Sequence, residues 1–364
     1  QEVLLNRYYT KKTNKMKEEI KPITVLLTDI HLKESNREQV KQLFLDAINV
    51  AKEKGLNSVV SLGDIFDSRK SQPLENLTTF SEILELFVRY DIQFYSIVGN
   101  HDKIDQSKVE SYLTPYKYHP YFRLIDDLEI LPFGETELIF LPYFTEEVYR
   151  KKLDRLLPMY TEESILPTHI VVQGYTLTSG QVAQHGFSGS LFSKFKKVLI
   201  GHYHDCSSKG NIEYIGSSLQ HNYGETGTDK GVKILYSDGS VSLEKQSDYI
   251  QSFSTFRVSS LVEFENLKID DVPGHKRIVF TGTKEELIQI SKGDSTRIKE
   301  LLETSKLEFK EVQTETKDFE ERSLQTSLSK DQIKEIYIDW CIEEEIEEGE
   351  REEGIQLLNT IKEV

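Results

Sequence analysis

The chain has 364 residues, 29% of them charged, with a formal net charge of -16 and a sequence pI near 5.2. That length buries one large core, or one core with a smaller appended domain, and the acidic balance excludes a basic field over the whole surface. No apolar stretch approaches the ~20 residues of a membrane-spanning helix, and the two cysteines, Cys206 and Cys341, make no disulfide framework, so a cytoplasmic protein with free thiols is expected rather than a secreted or membrane one. Much of the negative excess sits in one run, Glu343-Glu344-Glu345-Ile346-Glu347-Glu348-Gly349-Glu350, away from the motifs described below.

Residues 1–20 open polar and basic and are read as a flexible arm or tag remnant. The first strand, residues 23–27, is a β-branched and aliphatic run that stops at Thr28-Asp29-Ile30-His31. A helix follows from about Asn36, with Val40, Phe44, Ala47, Ile48 and Ala51 on one face and Gly55 as its stop. The second strand, residues 58–62, runs into Gly63-Asp64-Ile65-Phe66-Asp67, and a second helix carries Phe80, Ile83, Leu84 and Phe87. The third strand, residues 93–98, delivers Gly99-Asn100-His101-Asp102. Polar residues at three successive strand ends are how open α/β sheets build sites.

Residues 121–249 are strand-rich, with strands expected at 136–141, 168–172, 197–200, 212–215 and 232–236, and read as a second sheet stacked on the first. The main domain therefore spans residues 21–249. A small α+β domain is expected at 250–313, built as strand 276–280, helix 285–304 and strand 307–312. A polar linker, 314–329, precedes a helical tail, 330–364, whose apolar faces suit docking to a partner.

The motifs suit a two-metal site, which needs a bridging carboxylate and oxygen or imidazole ligands from separate strand ends. Asp29 and His31 alternate along one strand continuation and so point to one side. Asp64 can bridge, Asn100 offers an amide oxygen, and His202 and His204 in Gly-His-Tyr-His offer two imidazoles. His101, beside a ligand without being one, is placed to protonate a leaving oxygen as a general acid. Each motif alone also reads as an ordinary turn or surface loop; their joint order after apolar strands is the informative feature.

On these motifs the chain resembles the calcineurin-like metallophosphoesterase superfamily. The resemblance implies a four-layer α/β/β/α sandwich with two divalent ions, Mn2+ above all, with Mg2+ as the alternative. It implies Asp29, His31, Asp64 and His204 on one ion and Asp64, Asn100 and His202 on the other. Gly63 to Asp67, Ile97 to Asp102, and Tyr214 to Gln220 with Gly224-Glu225 further resemble the nuclease subunit of SbcCD-type double-strand-break repair complexes and the related bacteriophage recombination nucleases. That likeness implies a DNA exonuclease or endonuclease in a bacterial or phage-infected cell. It also implies a small capping domain at 250–313, an SMC-like ATPase partner held by the tail, and a homodimer. A phosphatase or cyclic nucleotide phosphodiesterase of the same fold is the alternative.

One position departs from the family pattern. Where a Gly-His ligand motif is expected after the strand preceding Gly-His-Tyr-His, the chain reads Gln173-Gly174-Tyr175-Thr176. A neutral phenol is a poor ligand for manganese or magnesium, so Tyr175 implies a weak or absent second metal. The readings left open are a natural loss that leaves a scaffold subunit, an introduced substitution, or rescue by His169 or His185. With the strand read at 168–172, His169 falls at its start, away from the rim. Lys194, Lys196 and Lys197 form a short basic cluster offered as a DNA phosphate contact.

Overall fold

In the computed structural model, which describes residues 19–156, 162–176, 182–228, 230–244, 253–272, 274–293 and 295–311, the main domain is built on two six-stranded sheets. The expectations for residues 1–18, 314–329 and 330–364 lie outside the described residues. The chain begins in the first sheet with β1 (Pro22–Leu27), β2 (Ser58–Ser61), β3 (Gln93–Ile97) and β4 (Phe122–Ile125), which pair in parallel in that order. It passes to the second through β5 (Glu129–Phe133), β6 (Thr136–Phe140), β7 (Ile165–Thr168), β8 (Lys197–Ile200), β9 (Ser207–Lys209) and β10 (Ile212–Tyr214). It then returns to the first through β11 (Lys233–Tyr236) and β12 (Val241–Leu243).

Side-chain alternation divides the strands between two cores. Val25, Leu27, Val59 and Phe94 face the helices Arg37–Glu53 and Leu74–Tyr90, whose apolar stripes include Val40, Phe44, Phe80 and Phe87. Their neighbours Leu26, Val60 and Ile97 face inward and meet Leu138, Phe140, Ile165 and Leu199 of the second sheet. The far side of that sheet, with Leu166, Val198 and Tyr214, is covered by Tyr149, Leu153 and Leu156 of the helix Glu146–Leu156. The result is the α/β/β/α layering. Parallel strands so covered read as continuous apolar runs, and their carboxyl ends open on one rim.

Two details correct the expectations for these sheets. β7 covers Ile165–Thr168, not 168–172. Its Pro167 has no N–H, which argues against strand in a sequence reading; here the missing donor faces β6, where pairing is reduced to Leu138–Ile165 and a Leu141–Thr168 bridge. β11 leaves the second sheet and pairs antiparallel with β1. The crossing is fixed by Ser218, whose Oγ accepts the Thr28 N–H at 2.9 Å and whose N–H donates to the Thr28 carbonyl at 2.9 Å.

Beyond the two sheets, β13 (Phe253–Val258), β14 (His275–Gly282) and β15 (Lys306–Glu311) form a third, parallel sheet. Its own core includes Val258, Phe264, Ile278, Phe280, Ile290 and Leu301. The expected single helix is two, Lys284–Lys292 and Thr296–Thr304, because Gly293 takes a left-handed conformation and ends the first.

Candidate active site

Five strand ends meet at the rim, those of β1, β2, β3, β7 and β8, and they carry Asp29, Asp64, Asn100, His169 and His202. The backbone is strained where these residues turn inward. Among the described residues five non-glycines have positive φ, and four of them are Asp29 at 49°, His31 at 50°, Asp64 at 55° and His202 at 84°. Each costs about 1–3 kcal/mol, and such strain persists only where the surroundings hold it. Part of that hold comes from Asp102, whose carboxylate accepts the N–H groups of Asp64 at 3.0 Å, Phe66 at 3.0 Å and Gly99 at 2.9 Å. The two glycines preceding ligand positions let these loops touch. A Cβ on Gly99 would lie 2.1 Å from Asp64 Oδ1, and one on Gly63 would lie 2.8 Å from Gly99 Cα.

Six expected residues converge. Asp64 Oδ2 is 3.9 Å from His31 Nε2, and His31 Nε2 is 3.3 Å from His204 Nε2. Asn100 Oδ1 lies 2.8 Å from His202 Nδ1. Both Asp29 carboxylate oxygens accept the His202 N–H at 2.9 Å, tying the first loop to the last. His101 sits over the group with its ring centroid 4.7 Å from that of His31. Its Nδ1 bonds the Asp67 carbonyl, its N–H donates to Asp64 Oδ1 at 2.8 Å, and its Nε2 accepts from Arg69 Nη2 at 3.0 Å.

The imidazole that reaches Asp64 and Asn100 from this part of the chain is His169. Because β7 ends at Thr168, His169 is the first residue past the strand. Its Nε2 lies 3.2 Å from Asp64 Oδ2, 3.0 Å from Asn100 Oδ1 and 3.3 Å from His202 Nδ1, while its Nδ1 bonds the Leu62 carbonyl at 2.7 Å. Tyr175 lies six residues on and packs elsewhere. Its hydroxyl donates to the carbonyls of Lys209 at 3.3 Å and Ile212 at 3.2 Å, and its ring sits edge-on to Tyr214. The Tyr175 hydroxyl is thus engaged with the backbone of β9 and β10.

Electrostatics follow from burial around this pair. Burial would raise the Asp64 carboxyl, but positive charge on His169 outweighs it and holds Asp64 well below the usual carboxylate range. Burial would lower His169, and the Asp64 carboxylate prevails, pushing the imidazole up to about 9. Burial first, then the charge of His169, depress His202 to about 3, and burial holds His31 well below its ordinary value. At the other end, burial opposes ionisation of Glu225, but the hydrogen bond from His204 and the charge of Lys230 bring it down to about 2. Glu225 Oε1 is 2.9 Å from His204 Nδ1, and its Oε2 is 3.2 Å from Lys230 Nζ.

Among the described residues three groups bring their donor atoms within 4.8 Å, each within itself: His31, His204 and His221; His31, Asp64 and His101; and Asp64, His169 and His202. His221, whose Nε2 donates to the Asp29 carbonyl at 2.7 Å, carried no sequence expectation, and neither did Arg69. Asp102 and Glu225 lay inside quoted motifs, where an acid beside a ligand loop was the available signal. Lys194, Lys196 and Lys197 are not brought to the rim. They sit at the start of β8, the opposite end from His202, and Lys196 and Lys197 are paired with Glu163 at 2.9 Å and Glu213 at 2.5 Å. His185 is in none of the three groups.

A family model for calcineurin-like phosphoesterases matches residues 24–284. Exonuclease subunit 1 of Enterobacteria phage T4 is 22% identical over 326 residues, which cover 86% of this chain and 89% of that protein. The SbcD subunit of the SbcCD nuclease of Staphylococcus saprophyticus is 28% identical over 208 residues, covering 49% of this chain and 54% of that protein. Among solved structures, a dimetal phosphatase from Danio rerio superposes with a TM-score of 0.41 at 10% identity, covering 59% of this chain and 93% of that one.

Proposed function

The chain belongs to the calcineurin-like phosphoesterase family, and from that premise we propose that it is the metal-dependent nuclease subunit of a DNA repair or recombination complex. The observation that carries the reading is the convergence of two donor sets on one carboxylate. Asp64 Oδ2 lies 3.9 Å from His31 Nε2, which His204 Nε2 approaches to 3.3 Å, and 3.2 Å from His169 Nε2, which Asn100 Oδ1 and His202 Nδ1 approach to 3.0 and 3.3 Å. The donors fit divalent ions. Carboxylate, amide and imidazole groups are a hard-to-borderline set suited to manganese or magnesium, and His31 aims Nε2 among them, 3.9 Å from Asp64 Oδ2 and 3.3 Å from His204 Nε2. Ions held there supply Lewis-acid stabilisation of phosphoryl charge and a lowered pKa for a water nucleophile.

The chain's own residues do the remaining work. Asp102 fixes the two loops that bring Asp64 and Asn100 together. Glu225 holds His204 by its Nδ1 and so aims Nε2 into the cluster. His101 belongs to the donor group with His31 and Asp64; with Nδ1 bonded to the Asp67 carbonyl, its Nε2 is the nitrogen through which a protonated imidazole can give a proton to the leaving oxygen of the cut strand.

The names of the relatives, an exonuclease subunit and a nuclease subunit, support DNA as the substrate. Both are subunits, which supports a partner; an SMC-like ATPase on residues 330–364 is the partner proposed. The bonding of the Tyr175 hydroxyl to the Lys209 and Ile212 carbonyls, with His169 beside Asp64, supports an active enzyme over an impaired scaffold.

The test is manganese-dependent cleavage of end-labelled linear duplex and single-stranded DNA by the full chain, with and without chelator, beside His101→Ala. Cleavage that needs the metal, and that His101→Ala loses at unchanged metal content, is expected. Full activity in His101→Ala would remove the general-acid role. No metal-dependent DNA cleavage, with hydrolysis of a phosphate monoester instead, would move the substrate to the phosphatase class.

A further inference from the structure

The loop between β2 and the helix Leu74–Tyr90 brings one guanidinium to the rim, and nothing in the metal chemistry accounts for it. Arg69 Nη2 lies 3.0 Å from His101 Nε2, so the side chain reaches the nitrogen assigned to the leaving group. Among the described residues Arg69 takes part in no ion pair, although the chain carries 61 acidic residues against 45 basic ones. Its backbone is fixed while its side chain is exposed. Tyr112 donates its hydroxyl to the Arg69 carbonyl at 3.0 Å, and the Tyr112 ring packs edge-on against the buried Phe66. Ser68 Oγ accepts the N–H groups of Lys70 at 3.3 Å and Ser71 at 3.4 Å. A positive fork without a carboxylate, on an anchored stem beside the acid and open to solvent, has the chemistry of a phosphate clamp.

We propose that Arg69 binds a non-bridging oxygen of the scissile phosphodiester and that, in the free protein, it rests on His101 Nε2. Substrate phosphate withdraws the guanidinium from Nε2, and that nitrogen, which had accepted the Arg69 N–H, takes a proton from solvent and then faces the leaving oxygen as its donor. One residue thus senses the anion and clears the acid. A guanidinium is suited to this exchange because it donates weakly to a neutral imidazole nitrogen and strongly, in two parallel bonds, to a phosphate. The inference rests on the phosphoesterase reading of the site, and its test requires no turnover.

Inorganic phosphate is titrated by calorimetry into the manganese-loaded full chain and into Arg69→Ala, Arg69→Gln and Arg69→Lys, with metal content measured for each. Arg69 is exposed, so these variants keep the fold, and Gln retains an N–H donor for His101 without the charge. The expected result is phosphate binding weakened roughly tenfold or more in Ala and Gln, an intermediate loss in Lys, and unchanged manganese. With DNA as substrate the same loss is expected mainly in KM. Phosphate affinity in Arg69→Ala or Arg69→Gln within twofold of the unmodified chain overturns the proposal, and so does an unmodified chain that binds no phosphate. A chain that binds phosphate through Arg69 yet cuts no DNA would contradict the nuclease reading and leave the clamp standing.

Discussion

His169 Nε2 lies 3.0 Å from the amide oxygen of Asn100, so two side chains 69 residues apart face the same point from different sheets. The contact decides how Tyr175 is to be read. Tyr175→Phe removes a hydroxyl bonded to two carbonyls, a loss of about 1 kcal/mol of stability, and is expected to leave metal binding and hydrolysis unchanged. Tyr175→His is expected to add no ligand and no activity. Manganese titrations and cleavage assays on both variants check this; a gain of activity in Tyr175→His would restore Tyr175 as a lost ligand.

The Asp64–His169 pair gives the metal-free chain a specific dependence on pH. His169 has its pKa raised in the folded state to about 9, from an ordinary 6.5. A raised value means that the folded chain binds the proton more tightly than the unfolded one, so its stabilising contribution is complete below about pH 6.5 and is lost as pH rises through about 9. In chelator, Tm is expected to fall across that window. A divalent ion must displace the same proton, so manganese affinity is expected to rise over the same range, by up to about tenfold per pH unit. Thermal melts at pH 6.5 to 9 with and without manganese test both statements; a chelated Tm that is flat or rising would contradict them.

Glu225 is fully buried and bonds His204 on one oxygen and Lys230 on the other. Glu225→Gln keeps the shape but removes the charge that fixes the His204 tautomer. Manganese affinity is expected to drop about 10- to 100-fold. Stability should fall as well, because Lys230, also buried, loses its nearest anion and keeps, among the described residues, the more distant Asp205 at 3.8 Å and the His204 carbonyl. Calorimetric titration of manganese reads the first effect. Affinity within twofold of the unmodified chain would mean that His204 is aimed by something else.

The acidic and histidine motifs at the ends of β1, β2, β3 and β8 were legible because each follows an apolar run and each turn forces its neighbour inward. The alternation of Val25, Leu26 and Leu27 between two cores was equally visible as a buried strand. His169 was named but placed away from the rim, because Pro167 disguised β7 and moved the apparent end of the strand by four residues, from Thr168 to Val172, toward Tyr175. The return of β11 to the first sheet was hidden for a different reason. Its pairing with β1 spans more than 200 residues, and local periodicity carries no information about which sheet a strand joins. Arg69 sits in a polar loop whose composition resembles any surface turn, and only its distance to His101 distinguishes it.

The account turns on His169 completing a second metal position, and the most direct measurement is the number of manganese ions bound per chain in the unmodified protein and in His169→Ala. Two ions in the first and one tightly held ion in the second, with DNA cleavage lost, is the predicted result. Two ions in both, or one ion in the unmodified chain, would contradict it.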